Sequence, residues 1–239
     1  MNDFIKLYKS NKPKIRLGSK YDGGYVIVDN ITEYDLFISC GISNNIDFEI
    51  DFLKKYDNIK CIAFDGTISD IPKNNNNINF IKKNIGEHND NNTTNLIEYL
   101  ENYNNIFLKM DIETWEYKWI RLLNDTHLKK FAQIVIEIHF PFDLVEHIFK
   151  QFSEEIISVQ DKLNIISKLF KHHKLFHIHG NSACGTTTHN NKLIPNNIEC
   201  TFVRNDLINE YELDNSVIPD PNLDNINIIG TEEIIFKLN

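Results

Sequence analysis

Two apolar runs stop at groups that can move protons or hold a cation. Ile106-Phe-Leu-Lys-Met110 runs into Asp111 and Glu113, and Ala132-Gln-Ile-Val-Ile-Glu-Ile-His139 carries Glu137 and ends on His139. An imidazole titrates near neutrality, so His139 is the natural general base, with Asp111 to orient it or to act as base itself. The same groups form a hard-cation set. Asp111, Glu137 and His139 suit Mg²⁺ or Mn²⁺ better than zinc, with Glu113 alongside. Glu137 lies inside an apolar run and can equally be a buried carboxylate paired with Arg or backbone N–H groups. Earlier, Ile59-Lys-Cys-Ile-Ala-Phe64 ends in Asp65 and Gly66. An acid at a strand tip can accept both hydroxyls of a ribose. Leu36-Phe-Ile38 ends in Ser39, Cys40 and Gly41, with Ser43 in the turn that follows. A small-residue turn before a helix lets a ligand approach backbone N–H groups.

Positioning these groups requires strands that end on one rim. The apolar runs at 36–38, 59–64, 78–85, 106–110 and 132–139 read as strands, joined later by Leu175-Phe-His-Ile-His179 and Cys200-Thr-Phe-Val203. Between them, 47–56, 95–103, 115–123, 144–152 and 158–172 carry helical periodicity, with Thr93 or Thr94 a candidate cap for the second. Alternation of this kind predicts an α/β, Rossmann-like doubly wound sheet with helices on both faces. Ligands of such sheets bind beyond the carboxyl ends of the strands. Met1 to Lys20 reads as a short helix and a basic run. Asp22-Gly-Gly24 marks a hairpin turn that, with Arg16, is placed to fold over the mouth of the site. One domain is expected: an N-terminal cap at 1–34, a core at 35–206, and a tail at 207–239 packed on the surface. His177 and His179 share a strand face, which favours a rim or core role over a metal.

The 239 residues carry a net charge of -9, which argues against nucleic acid or an anionic membrane as the main partner. Four cysteines lie scattered without a CxxC and suit a reducing compartment. The first ten residues lack the apolar core of a signal peptide, so a cytoplasmic protein is expected.

Several segments taken in order resemble a known family. They are Arg16-Leu-Gly with Asp22-Gly-Gly-Tyr25, Phe37-Ile-Ser-Cys-Gly-Ile-Ser43, Ala63-Phe-Asp-Gly66, Leu108-Lys-Met-Asp-Ile-Glu113 and Ile134-Val-Ile-Glu-Ile-His139. His177-Ile-His-Gly-Asn181, Pro195-Asn-Asn-Ile-Glu199 and Thr201-Phe-Val-Arg204 complete the set. From about Arg16 to Arg204 the chain resembles class I S-adenosylmethionine-dependent methyltransferases of the FkbM-like, methyltransferase-like group. The resemblance implies a seven-stranded sheet whose last strand is antiparallel. It implies cofactor contacts at Ser39, Gly41, Ser43, Asp65, Gly66 and Asp111, with adenine near Glu87 to Asp90. The acceptor it implies is a hydroxyl of a sugar or glycan, met by Arg16, Tyr25, Glu113, Glu137, His179 and Asn181. The chain departs from the family pattern at Ser39, at Ser43 and at Thr114, where an acid, a glycine and a glycine are common.

Two other functions compete. An NAD(P)-dependent oxidoreductase would use a similar sheet, but G-x-G-x-x-G is absent after the first strand. A binding module that kept the fold and lost the chemistry is the other. A small-molecule or glycan partner is expected in either case, with homo-oligomerisation left open.

Overall fold

The computed structural model describes residues 5–73, 75–142, 157–189 and 191–238. Period-two alternation makes both faces of the central strands apolar. In β4 (Leu36–Cys40), Leu36, Ile38 and Cys40 join one core while Phe37 joins the other. The same split recurs in β5 (Cys61–Phe64) and in β9 (Ile106–Met110), where Phe107 faces opposite to Ile106, Leu108 and Met110. Strands apolar on both sides belong inside a covered parallel sheet. With β6 (Ile78–Ile81), β10 (Phe131–His139), β11 (His173–Gly180) and β14 (Asn197–Arg204) they form one seven-stranded sheet in the order β11-β14-β10-β9-β4-β5-β6. Only β14 runs against its neighbours, wedged between β10 and β11. This is the Rossmann-like doubly wound sheet, mostly parallel with an antiparallel last strand, expected from sequence.

Helix α1 (Asp47–Lys55) lays Phe48 and Phe52 against Phe37 and Phe107, with ring centroids 4.5 Å apart for Phe37–Phe52 and 4.2 Å for Phe52–Phe107. The hairpin of β2 (Lys14–Gly18) and β3 (Gly24–Val28) covers the same face. Buried Gln133 fixes it there, accepting from Val28 N at 2.8 Å and donating to Val28 O at 3.1 Å. The opposite face takes α2 (Ile97–Leu100), α3 (Glu116–Leu122), α4 (Asp125–Leu128) and α5 (Val159–His172), whose first turn Ser158 caps. Short pairs complete the fold: β7 (Asn84–Ile85) with β8 (Thr93–Thr94), and β12 (Thr186–His189) with β13 (Lys192–Pro195). No helix among the described residues is long and apolar enough to cross a membrane.

Three expectations change. The N-terminal segment is not helical at Tyr8: β1 (Tyr8–Ser10) pairs with β15 (Tyr211–Leu213), so a partner 200 residues away decides its state. Thr94 sits in β8, and its hydroxyl accepts from Leu96 N. The C-terminal segment is built into the molecule, burying Ile218, Asp224, Asn227, Phe236 and Leu238. The helix expected over 144–152 lies outside the described residues.

His173 opens β11 wholly buried, its Nε2–H donating to Phe131 O at 2.8 Å. Burial pushes its pKa down to about 4. A histidine whose folded pKa lies below its unfolded value of about 6.5 stabilises the fold fully above that value, and the contribution is lost as pH falls toward 4. The loss is on the order of 3 kcal/mol. Urea midpoints at pH 4 and 7 should therefore differ less in His173→Gln than in the parent; equal differences would discount this residue.

Candidate functional site

At the carboxyl ends of β4, β5 and β9 lies a cavity of about 600 Å³, bounded by Gly41, Ser43, Asp65, Asp111 and Glu113. The backbone shapes its floor. Gly41 has φ +73°, and a Cβ there would sit 1.6 Å from Asp111 O, so only glycine lets the two strand ends close together. Asp65 holds the next turn: Oδ2 accepts from Ser43 N at 2.8 Å and Oδ1 from Thr67 N at 2.7 Å and the Thr67 hydroxyl. Burial works against its charge, but these donors outweigh it and keep the carboxyl below the usual range. Ser43, the Thr67 backbone and hydroxyl and the Ile68 backbone all act on this carboxylate, so a hydroxyl from outside would have to share an oxygen with one of them.

Beside the cavity, sheet register sets Glu137 opposite Glu199 and Glu199 opposite His179, with His139 opposite Asn197 two pairs along. His139 is the hub. Its Nε2 lies 3.4 Å from Glu113 Oε2, 3.6 Å from Asp111 Oδ1 and 3.8 Å from Glu137 Oε1. On the other side of the ring, Nδ1 is 3.2 Å from Glu116 Oε1, which also accepts from His139 N at 2.8 Å. Burial opposes the imidazolium, yet Glu116 first, then Glu137 and Asp111, raise its pKa to about 10. The surrounding carboxylates thus favour the imidazolium, which works against the base with a pKa near neutrality expected from sequence. Glu137 is pushed well above the carboxylate range by burial and by Asp111, although Asn181 and Asn197 each donate to its Oε1 at 3.0 Å. Ligand atoms of Asp111, Glu137 and His139 all lie within 4.8 Å of one another.

Several expected contacts fall elsewhere. Ser39 faces α1, fully buried, and donates to Glu49 away from the cavity. Tyr25 is 1% exposed and donates to Asp111 Oδ2 at 3.1 Å, so it orients that carboxylate instead of meeting an acceptor. Arg16 lies behind the turn, its guanidinium donating to Tyr21 O at 3.0 Å and Ser19 O at 3.4 Å. His179 is clamped between Glu199 and Glu233, each 3.0 Å from one ring nitrogen. Despite burial, Glu199, Asp224 and Glu233 raise its pKa to about 9, and with both ring nitrogens engaged its role is structural. Asn181 is buried and positions Glu137. Gly66 packs on the side chain of Asn84, and the wall expected from Glu87 to Asp90 is made by Lys83 to Ile85, Thr93 and Trp115.

No protein-family model and no curated protein matches this chain. Solved structures do show some likeness. The fibrillarin/Nop5p complex has 9% identity over 72% of this chain and 74% of that one, with a TM-score of 0.41. A Methanococcus jannaschii fibrillarin pre-rRNA processing protein has 12% identity over 74% and 69%, TM-score 0.40. The pyocyanin biosynthetic protein PhzM has 8% identity over 73% and 51%, TM-score 0.32.

Sequence reasoning passed over four groups. Glu116 reads as one polar position of an amphipathic helix, and only the fold turns it, wholly buried, onto His139. Asp22 reads as turn chemistry, yet it comes within reach of Glu137 and Glu199. Asn227 donates to Glu199 Oε1 at 2.6 Å and accepts from Ser182 N and, through its backbone oxygen, from Asp22 N. Lys109 is a charge inside an apolar strand, the signal that could have found it.

Proposed function

We propose that the chain is an S-adenosylmethionine-dependent methyltransferase that methylates a hydroxyl, with a sugar or glycan as acceptor. One observation carries this reading: Gly41, Asp65 and Asp111, at the ends of three adjacent strands, bound a single cavity, and Asp111 belongs as well to the Asp111–Glu137–His139 cluster behind its wall. The cavity fits the cofactor in chemistry. A glycine with no room for a Cβ supplies close backbone approach, and Asp65 presents a carboxylate at the cavity wall. No G-x-G-x-x-G follows β4, which speaks against a dinucleotide.

The cluster also fits Mg²⁺ or Mn²⁺. Four carboxylates, Asp111, Glu113, Glu116 and Glu137, surround one imidazole. A buried surplus of negative charge calls for a proton or a cation. Glu116 on Nδ1 is the outer carboxylate that orients a metal-bound histidine and leaves Nε2 free to ligate. Asp111, Glu137 and His139 would hold the ion, which when bound supplies Lewis-acid polarisation of the acceptor hydroxyl. Tyr25 fixes Asp111, and Asn181 and Asn197 fix Glu137. Glu113 takes the role of proton acceptor. Its carboxylate faces the cavity 3.4 Å from His139 Nε2, and its pKa is raised, by partial desolvation first and then by the charge of Asp111.

Calorimetric titration of S-adenosylhomocysteine against NADH tests the cofactor class, and transfer of a labelled methyl group tests the reaction. Asp65→Ala should weaken S-adenosylhomocysteine binding by ~1.5–3 kcal/mol with the fold retained. Unchanged affinity would remove Asp65 from the site.

A further inference from the structure

Lys109 stands out as a long cationic side chain on an otherwise apolar central strand. It is 5% exposed, flanked in β9 by Leu108 and Met110, and points to the face covered by α1 and the β2–β3 hairpin. Sequestering an amine from water is unfavourable unless it finds strong partners. Its Nζ donates to Gly41 O at 2.6 Å and lies 5.4 Å from the centre of the Tyr25 ring. The carbonyl it holds belongs to the residue that opens the cavity's floor. Two residues on, Ser43 is held from the other side by Asp65, and both Gly41 and Ser43 have positive φ, +73° and +44°. The 41–43 turn is thus tied down at each end by a charged side chain, one from β9 and one from the tip of β5. Tyr25 completes the link, since its ring meets Lys109 and its hydroxyl meets Asp111.

We propose that Lys109 is a positioning residue: by holding the Gly41 carbonyl it fixes the 41–43 turn in the shape that accepts the cofactor. It touches neither the cofactor nor the acceptor, and its effect reaches them through the turn. The proposal rests on the cofactor reading above, and the experiment separates the two.

In the unliganded protein, amide hydrogen exchange at residues 41–45 should speed up by about tenfold or more in Lys109→Met and return toward the parent rate in Lys109→Arg, because a charge-assisted hydrogen bond is lost and then partly restored. In the same variants, S-adenosylhomocysteine binding should weaken about tenfold or more in Lys109→Met, with KM for the methyl donor rising and kcat changed less. Exchange and affinity both at the parent level in Lys109→Met would overturn the proposal. So would parallel losses of affinity, kcat and melting temperature with no recovery in Lys109→Arg, the pattern of a packing residue. Failure of the parent protein to bind S-adenosylhomocysteine overturns the cofactor reading, and with it the cofactor-accepting role given to the turn.

Discussion

Excess EDTA is expected to abolish methyl transfer, and added Mg²⁺ or Mn²⁺ to restore it. His139 is held at about 10 and Glu137 well above the carboxylate range, so the ion-free cluster keeps protons on groups that must lose them to ligate. Binding a divalent ion should release those protons, and affinity should therefore rise with pH across the neutral range. Calorimetry in two buffers of different ionisation enthalpy counts the protons directly. Glu116→Gln leaves the three ligands in place and weakens only the outer support of His139, so metal affinity should fall by about 10–100-fold. His139→Ala removes a ligand outright, so metal affinity and turnover should both fall further than in Glu116→Gln, while S-adenosylhomocysteine binding barely moves. Full activity in EDTA would leave the cluster as a positioning and proton-handling device without an ion.

Gly41→Ala is expected to remove cofactor binding and to destabilise the fold. Two costs add. The backbone at φ +73° is strained for any residue with a side chain, at about 1–2 kcal/mol. The new methyl would also meet Asp111 O at 1.6 Å and Asp111 C at 2.7 Å, both backbone atoms that cannot swing aside. Forcing extra volume into a packed site costs about 1–3 kcal/mol more. Gly230 provides the control, since it has φ +92° and nothing within 4 Å of an added Cβ. Gly230→Ala should show the conformational cost alone. Urea midpoints for the two variants that coincide would mean that β4 and β9 separate at no expense, contrary to this account.

The sheet was legible because burial on both faces leaves unbroken apolar runs, and because polar groups at strand ends have no packing reason to be there. Asp65, Asp111, Glu113, Glu137 and His139 all came from that one rule. Their roles were less legible. A titration range belongs to a neighbourhood, and nothing local to His139 announces Glu116 from the helix after β9. Ser39 was misplaced by a single alternation, since its side chain faces α1 beside Lys109's face of the sheet. The Thr114 departure has a clear physical meaning: it adopts φ +78°, the left-handed region in which glycine is at ease. The C-terminal wall lacked a signal for another reason. Asn227 and Glu233 are held by side-chain hydrogen bonds to distant partners, which impose no periodicity on the segment that carries them.

The antiparallel placement of β14 bears on how the chain assembles as it is synthesised. β10 and β11 are made first, yet they do not pair with each other; each pairs with β14, which comes later. Until residue 204 has emerged from the ribosome, β10 carries an unpaired edge from Gln133 to His139, all of it buried in the finished fold. Such an edge invites wrong pairing with another chain. Glu199, which faces Glu137 and anchors His179, arrives on that same closing strand, so the acidic row is completed in the step that shields the edge.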